Sequence, residues 1–403
     1  MHEHRGPVKR LVAIGDLHGD LGKAKMCAQL AGIAGPDGSW LGSGAGYGYG
    51  SGSDPPANTV VVQLGDQIDG APRLETSRRP SAGPGGRHDC AEAVAGDLRV
   101  MAYFDELDRQ AVAAGRGCRV YSLLGNHEMD NAAGGVDYAD VCPECRATRA
   151  AYFRAGGDVA RHMAATRHAC VVAGGVLFSH AGVLPRHLPY LGRAGEDAAA
   201  YLRGEASPGQ LRALHEGVTG PDGFMRHRAF APDRGAEKLK LSPDVDRVLA
   251  ATRCNAMVLG HNAHRKGVSA LHGGRVWVVD PGMSASLFGA DPTVLEISVG
   301  ASGDLSVRTV SSRKSPGGTR SPGGMRSPGG IAGNLSGAGA WGWGWSGAGV
   351  GTGAEAWGGA GGWQGAAGGW QGAGAGGDRV DELGYQRFAG SWGERPGEYS
   401  LFA

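Results

Sequence analysis

Five short segments of this chain place Asp, Asn or His directly after a glycine or serine. They are Gly15-Asp16-Leu17-His18-Gly19-Asp20, Gly65-Asp66-Gln67-Ile68-Asp69, Gly125-Asn126-His127-Glu128, Ser179-His180-Ala181-Gly182 and Gly260-His261-Asn262. Imidazoles suit Zn, Fe and similar ions, while carboxylate and amide oxygens suit Mn and Mg. The mixture therefore points to two divalent ions of the Mn, Fe or Zn kind, and not to Mg alone. Such a pair, roughly 3.5–4 Å apart, serves hydrolysis of a phosphate ester by activating a water and offsetting phosphoryl charge. A carboxylate such as Asp66 can bridge two ions and hold that spacing. Glycines beside the donors let the backbone turn sharply and approach a phosphate closely.

Each segment follows an apolar run: Val12–Ile14, Val60–Leu64, Tyr121–Leu124, Val176–Phe178 and Met257–Leu259. The patterning predicts strands over Lys9–Ile14, Thr59–Leu64, Arg119–Leu124, Val171–Phe178, Ala256–Leu259, Arg275–Val279 and Thr293–Ser298. It predicts helices over Asp20–Gly32, Asp97–Ala114, part of Asp137–His168, and Asp244–Arg253. Strands alternating with helices indicate an α/β domain. Ligand sites in such sheets gather beyond the carboxyl ends of strands, so the five segments are predicted to converge there. Singly, each has an ordinary explanation as a capped helix start or a left-handed turn. Five of them, each after a strand, do not.

In this order the segments resemble the calcineurin-like metallophosphoesterase superfamily. Gly125–Glu128 and Ser179–Gly182 are most similar to its phosphoprotein phosphatase branch. Gly15–Leu21 and Val176–Pro185 are similar to the Shewanella-like protein phosphatases within that branch. The resemblance covers about residues 9–300 and implies a central β-sandwich flanked by helices, with metals at one edge. It implies that Asp16 and His18 bind the first metal, that Asp66 bridges both, and that Asn126, His180 and His261 bind the second. His127 would protonate the leaving oxygen, with Asp69 orienting it and raising its pKa.

The chain departs from the family in three places. The family has an arginine directly after Asp-x-x-Asp, where Gly70 stands here; Arg73 is the substitute, and Arg226 in Gly223-Phe224-Met225-Arg226 is the second candidate phosphate ligand. His264 lies three residues after His261 and is not counted as a ligand. The implied activity is hydrolysis of phosphomonoesters by direct attack of water, without a phosphoenzyme. Glu128 after His127 is the phosphoprotein-phosphatase form of the motif, which favours a phosphoprotein over a small phosphoester. Two other readings compete: a dinucleoside polyphosphate hydrolase of the same fold, and a catalytically inactive scaffold.

The charge is nearly balanced, 40 Lys and Arg against 39 Asp and Glu, which argues against nucleic-acid or membrane-surface binding. The polar Met1–Arg10 stretch holds no apolar leader core, and no run of about 18 apolar residues occurs. Seven scattered cysteines do not form a disulfide framework, so a cytoplasmic, reducing setting is expected. Cys142-Pro143-Glu144-Cys145 lacks the second pair that a zinc ribbon needs and reads as a loop feature. His2 and His4 read as solvated.

Glycine, at 75 residues, is far above ordinary usage. It concentrates in insertions near Gly35–Ala57 and Ala71–Arg87, read as surface loops, and in the tail. Residues 1–8 read as an N-terminal tail, 9–310 as the catalytic domain and 311–403 as a disordered low-complexity tail. Ser-Pro-Gly-Gly recurs there at Ser315, Ser321 and Ser327, before a Gly/Ala tract with Trp341, Trp343, Trp345, Trp357, Trp363 and Trp370. The Trp-Gly repeats at Trp341–Trp345 and the Gly-Gly-Trp-Gln repeats at Trp363 and Trp370 look like the Trp-Gly hooks that dock Argonaute proteins, which implies a protein partner; a repeat expansion without a partner explains them equally.

Overall fold

The structure, a computed structural model, describes residues 1–41, 57–70, 90–135, 143–231 and 242–312. Arg73, Cys142, the interiors of the two glycine-rich insertions, and the tail from 313 onward lie outside the described residues.

Two six-stranded sheets form the centre. One runs β12 (Leu305–Ser311), β11 (Thr293–Val299), β2 (Arg10–Ile14), β3 (Thr59–Gln63), β4 (Arg119–Leu123) and β5 (Arg167–His168). The other runs β1 (His2–Glu3), β6 (Cys170–Ala173), β7 (Val176–Ser179), β8 (Ala256–Leu259), β10 (Val276–Val278) and β9 (Ser269–Leu271). Strands β2 to β5 are mutually parallel, as are β7, β8 and β10.

Side-chain alternation builds two cores. Leu11, Ala13, Val60, Val62 and Leu123 pack against Val171, Val176, Phe178 and Val258 of the second sheet. The intervening Val12, Ile14, Val61 and Val120 face Cys27 of α1 (Leu21–Leu30) and Val100, Phe104 and Leu107 of α2 (Cys90–Ala113). With both faces covered, these strands read as continuous apolar runs. Phe178 is fully buried; its truncation to alanine would cost about 3–5 kcal/mol. The predicted α/β sandwich flanked by helices is the observed architecture.

Register brings the five segments level. Ile14 pairs with Gln63, and Gln63 with Ser122, so the loops after β2, β3 and β4 leave the sheet side by side. Phe178 pairs with Val258, which does the same for His180 and His261. Strand β11 closes the free edge of β2 antiparallel, pairing Val294 with Ile14 and Ser298 with Arg10. A buried ion pair joins the same two strands, Arg10 Nε to Glu296 at 2.8 Å.

Two expectations change. Val171–Phe178 is a hairpin and not one strand: the chain turns at Gly174 and Gly175, φ 54° and 74°, and pairs Ala173 with Val176. Paired glycines meet the positive φ that a two-residue hairpin turn needs. His2 and His4 are half-buried and not solvated, because β1 pairs with β6 and lays them against Tyr121. His4 Nδ1 lies 3.0 Å from the Tyr121 hydroxyl. Among the described residues, no helix is long and apolar enough to cross a membrane.

Candidate metal centre

The loops beyond β2, β3 and β8 are held in an unusual backbone state. His18, Asp66, Asp69 and His261 adopt φ of 44°, 50°, 71° and 63°. Non-glycine residues rarely occupy this left-handed region, and such strain tends to collect at functional sites. Close approach accompanies it: a β-carbon on Gly65 (φ 93°) would lie 2.7 Å from Gly125 N and 2.9 Å from His180 Nδ1. Glycine is required there on both counts.

Hydrogen bonds tie the loops to one another. Leu17 and His18 N–H donate to Asp66 O at 3.1 and 3.0 Å, and Gly19 N–H to Gln67 O at 2.7 Å. The Glu128 carboxylate, at the start of α3 (Asn126–Ala132), accepts from Asp66 N (3.0 Å), Gln67 N (2.7 Å) and Gly125 N (2.7 Å). Glu128 therefore clamps the second loop to the third, a role its position three residues past Gly125 was the only local hint of. Gly260 N–H donates to His180 O at 2.9 Å, joining the fourth loop to the fifth.

Within this frame the donors converge. His180 Nδ1 donates to Leu64 O at 2.7 Å, which leaves Nε2 turned toward the site. That Nε2 lies 3.2 Å from Asp66 Oδ2 and 3.2 Å from Asn126 Oδ1. Three atoms of ligand type thus face one point. Asp66, His180 and His261 offer ligand atoms within 4.8 Å of one another, and so do His18, Asp66 and His127. Asp66 belongs to both groups, the geometry a shared carboxylate requires. Buried acceptors aimed at one another are stable only around a cation or a proton, so the residues fit divalent metals.

The imidazoles of the site are shifted in opposite senses: against burial, the Asp66 carboxylate raises His180. Burial alone would raise the Asp66 carboxyl, but the His180 and His127 imidazoles beside it hold it well below the usual range. Burial lowers His261 well below the ordinary imidazole value, and neighbouring His180 adds to that. Neutral imidazole is the form that binds metal.

His127 stands beside the donors. Its N–H donates to Asp66 Oδ1 at 3.0 Å, its Nδ1 is bonded to Asp69 Oδ2, and its Nε2 lies 3.7 Å from Asp66 Oδ2. Against burial, which would raise it, the bonded His127 and then Arg149 hold the Asp69 carboxyl below its ordinary value.

Two candidates are placed differently. Asp16 lies outside both ligand groups; its carboxylate accepts the His261 N–H at 3.1 and 3.2 Å. Burial, then the Asp280 and Asp66 carboxylates, push it well above the usual range. Arg226 gives its guanidinium to Asp130 and to Thr219 O (3.0 Å), while its backbone O accepts His261 Nε2–H at 2.7 Å. Asp130 is the nearer anion, so in this state the side chain is spoken for.

Other residues at the site carried little or no sequence signal. Asp280 follows Val276–Val279 as Asp16 follows its strand, a repetition that could have exposed it. Arg228, exposed, donates to His261 O at 2.5 Å. Asp97, Asn131 and Arg149 surround Asp69 from separate helices and have no spacing in common.

No protein-family model matches the sequence. The chain is 26% identical over 357 residues to Shewanella-like protein phosphatase 2 of Arabidopsis thaliana, covering 75% of this chain and 78% of that protein. It is 25% identical over 298 residues to an uncharacterised protein of Schizosaccharomyces pombe, covering 71% and 76%. Among solved structures, the cold-active protein-tyrosine phosphatase of a psychrophilic Shewanella superposes with a TM-score of 0.55 at 18% identity, over 77% of this chain and 82% of that one. At that identity the superposition speaks to the fold.

Proposed function

We infer that this chain, a calcineurin-like metallophosphoesterase similar to the Shewanella-like protein phosphatases, hydrolyses phosphomonoesters, phosphoproteins first among them. The observation that carries this is the convergence of His180 Nε2, Asp66 Oδ2 and Asn126 Oδ1 while the other His180 nitrogen is spent on Leu64 O. Asp16 and His18 would hold one ion, Asn126, His180 and His261 the other, with Asp66 shared. Bound there, two divalent ions supply the Lewis acidity that lowers the pKa of an attacking water and offsets phosphoryl charge.

The remaining residues act on protons and position. His127 Nδ1 is occupied by Asp69, so Nε2 is the atom that gives a proton to the leaving oxygen. Asp69, kept as a carboxylate, fixes that tautomer and favours the protonated ring. Arg73 and Arg226 are the phosphate contacts in this reading; for Arg226, substrate phosphate takes the place of Asp130. The catalytic domain is residues 9–310, to whose second sheet β1 adds an edge strand, and the tail from 311 offers tryptophans to a protein partner. The free, buried Cys27, Cys118, Cys170 and Cys254 support a reducing, cytoplasmic setting.

Asp66→Asn keeps the side chain's size but weakens the shared ligand. It should abolish turnover and lower bound metal by elemental analysis, with an unchanged circular dichroism spectrum. Retained activity would sink the two-metal reading. Phosphopeptides assayed beside dinucleoside polyphosphates test the substrate: preference for the latter replaces the phosphoprotein reading. Failure to cleave any aryl phosphate with added Mn favours the inactive scaffold.

A further inference from the structure

Asp69 is followed by Gly70, and no side chain fits there: a β-carbon would lie 2.9 Å from His18 O and 3.0 Å from Gly19 Cα. The positive charge beside Asp69 comes instead from Arg149, on the helix Pro143–Phe153. Its Nη2 lies 2.6 Å from Asp69 Oδ1 and its Nη1 2.8 Å from Asp97 Oδ2. Its Nε donates to Asn131 Oδ1 at 2.5 Å. The guanidinium is centred 4.8 Å from the Phe153 ring. Side-chain exposure is 3% for Arg149, 1% for Asp69 and 0% for Asp97, so water does not screen these charges.

The same set grips Asp69 from its remaining sides. Asp97 accepts the Asp69 N–H at 3.1 Å and the Gly70 N–H at 3.2 Å. Asn131 Nδ2 donates to Asp69 Oδ2 at 3.0 Å and to His127 O at 2.8 Å. Asp69 Oδ2 is also the atom bonded to His127 Nδ1. Both Asp69 oxygens are thereby engaged, and Oδ2 is the one directed at His127.

We propose that Arg149 is a positioning residue, which with Asp97 and Asn131 locks the Asp69–His127 pair in the geometry for protonating the leaving group. This rests on the phosphatase reading above. Stability alone does not call for it, because apolar side chains of similar volume usually replace a buried ion pair at no loss. Outer partners that orient a metal-bound imidazole typically matter by about 10–100-fold, and the same scale is expected for groups that orient His127.

The test uses the full, metal-loaded chain and two substrates. Phenyl phosphate needs a proton on its leaving oxygen; 2,4-dinitrophenyl phosphate does not. Arg149→Lys should lower kcat for phenyl phosphate roughly 10–100-fold. KM, bound metal and dinitrophenyl phosphate turnover should stay close to native values. The double change Arg149→Met with Asp97→Asn removes one charge of each sign, so the net charge around Asp69 is unchanged, and it should show the same selectivity. An active native chain whose variants lose both substrates equally, lose metal, change KM only, or change nothing overturns this proposal alone. A native chain that cleaves neither substrate overturns the phosphatase reading, and this proposal with it.

Discussion

Two sets of buried histidines share composition and depth yet differ in how their nitrogens are used. In the first set, His227 donates from Nε2 to Gly182 O at 2.8 Å and accepts at Nδ1 from Ala229 N at 3.2 Å. His187 accepts at Nδ1 from Leu184 N at 3.0 Å, and its Nε2 meets Asp222 O at 2.8 Å. Both rings are satisfied by backbone and held neutral. At the site, His180 and His18 give one nitrogen to a backbone carbonyl, Leu64 O and Ile68 O respectively. For His180 the other nitrogen faces oxygens that can only accept. Burial does not separate the two sets; what faces the second nitrogen of His180 does.

The comparison breaks first at His180. Replacing it with alanine should cost more than the roughly 100-fold typical of an outer partner, and bound metal should fall; kinetics and metal analysis decide it. Asp69→Asn comes next, with kcat down roughly 10²-fold and metal retained, since it acts on the proton and not on the ligands. A parallel loss of metal would move Asp69 into the ligand set.

His187→Ala belongs to the other set. It leaves the buried Leu184 N–H without a partner, so urea unfolding should show a loss of about 1–3 kcal/mol, with kcat per folded molecule unchanged. The smallest effect is in pH. Burial lowers His187 to about 4 and His227 to about 3, against an ordinary value of 6.5. Below pH 6.5 the unfolded chain binds protons that these folded rings refuse. Their stabilisation is therefore complete above pH 6.5 and is lost as pH falls toward those values. His187→Gln should flatten the decline between pH 6.5 and 4, by at most ~1.4 kcal/mol per pH unit. An unaltered slope would mean that His187 is not neutral in the folded state.

How far the sequence led depends on distance along the chain. The strands before Asp16, Asp66, Asn126, His180 and His261 were legible because an apolar run and the turn after it are neighbours. The Gly174-Gly175 turn was equally local but was absorbed into the run around it. Arg149 and Asp97 were invisible: each is one charged residue on a helix, and their meaning arises only where two helices meet the loop bearing Asp69. Arg226 shows the converse. Its motif located the backbone beside His261, while its side-chain partner, Asp130, lies in another segment altogether.

The late arrival of β11 bears on how the molecule is made. Until Thr293–Val299 has left the ribosome, β2 has an unpaired edge of N–H and C=O groups, and Arg10 has no Glu296 to neutralise it. Such edges invite pairing with other chains. Contacts spanning so much of the sequence also slow folding, because a large loop must close before any of them forms. A growing chain is therefore most exposed to aggregation just before β11 and β12 emerge, and a truncation that removes them should yield insoluble protein even with every proposed metal ligand intact.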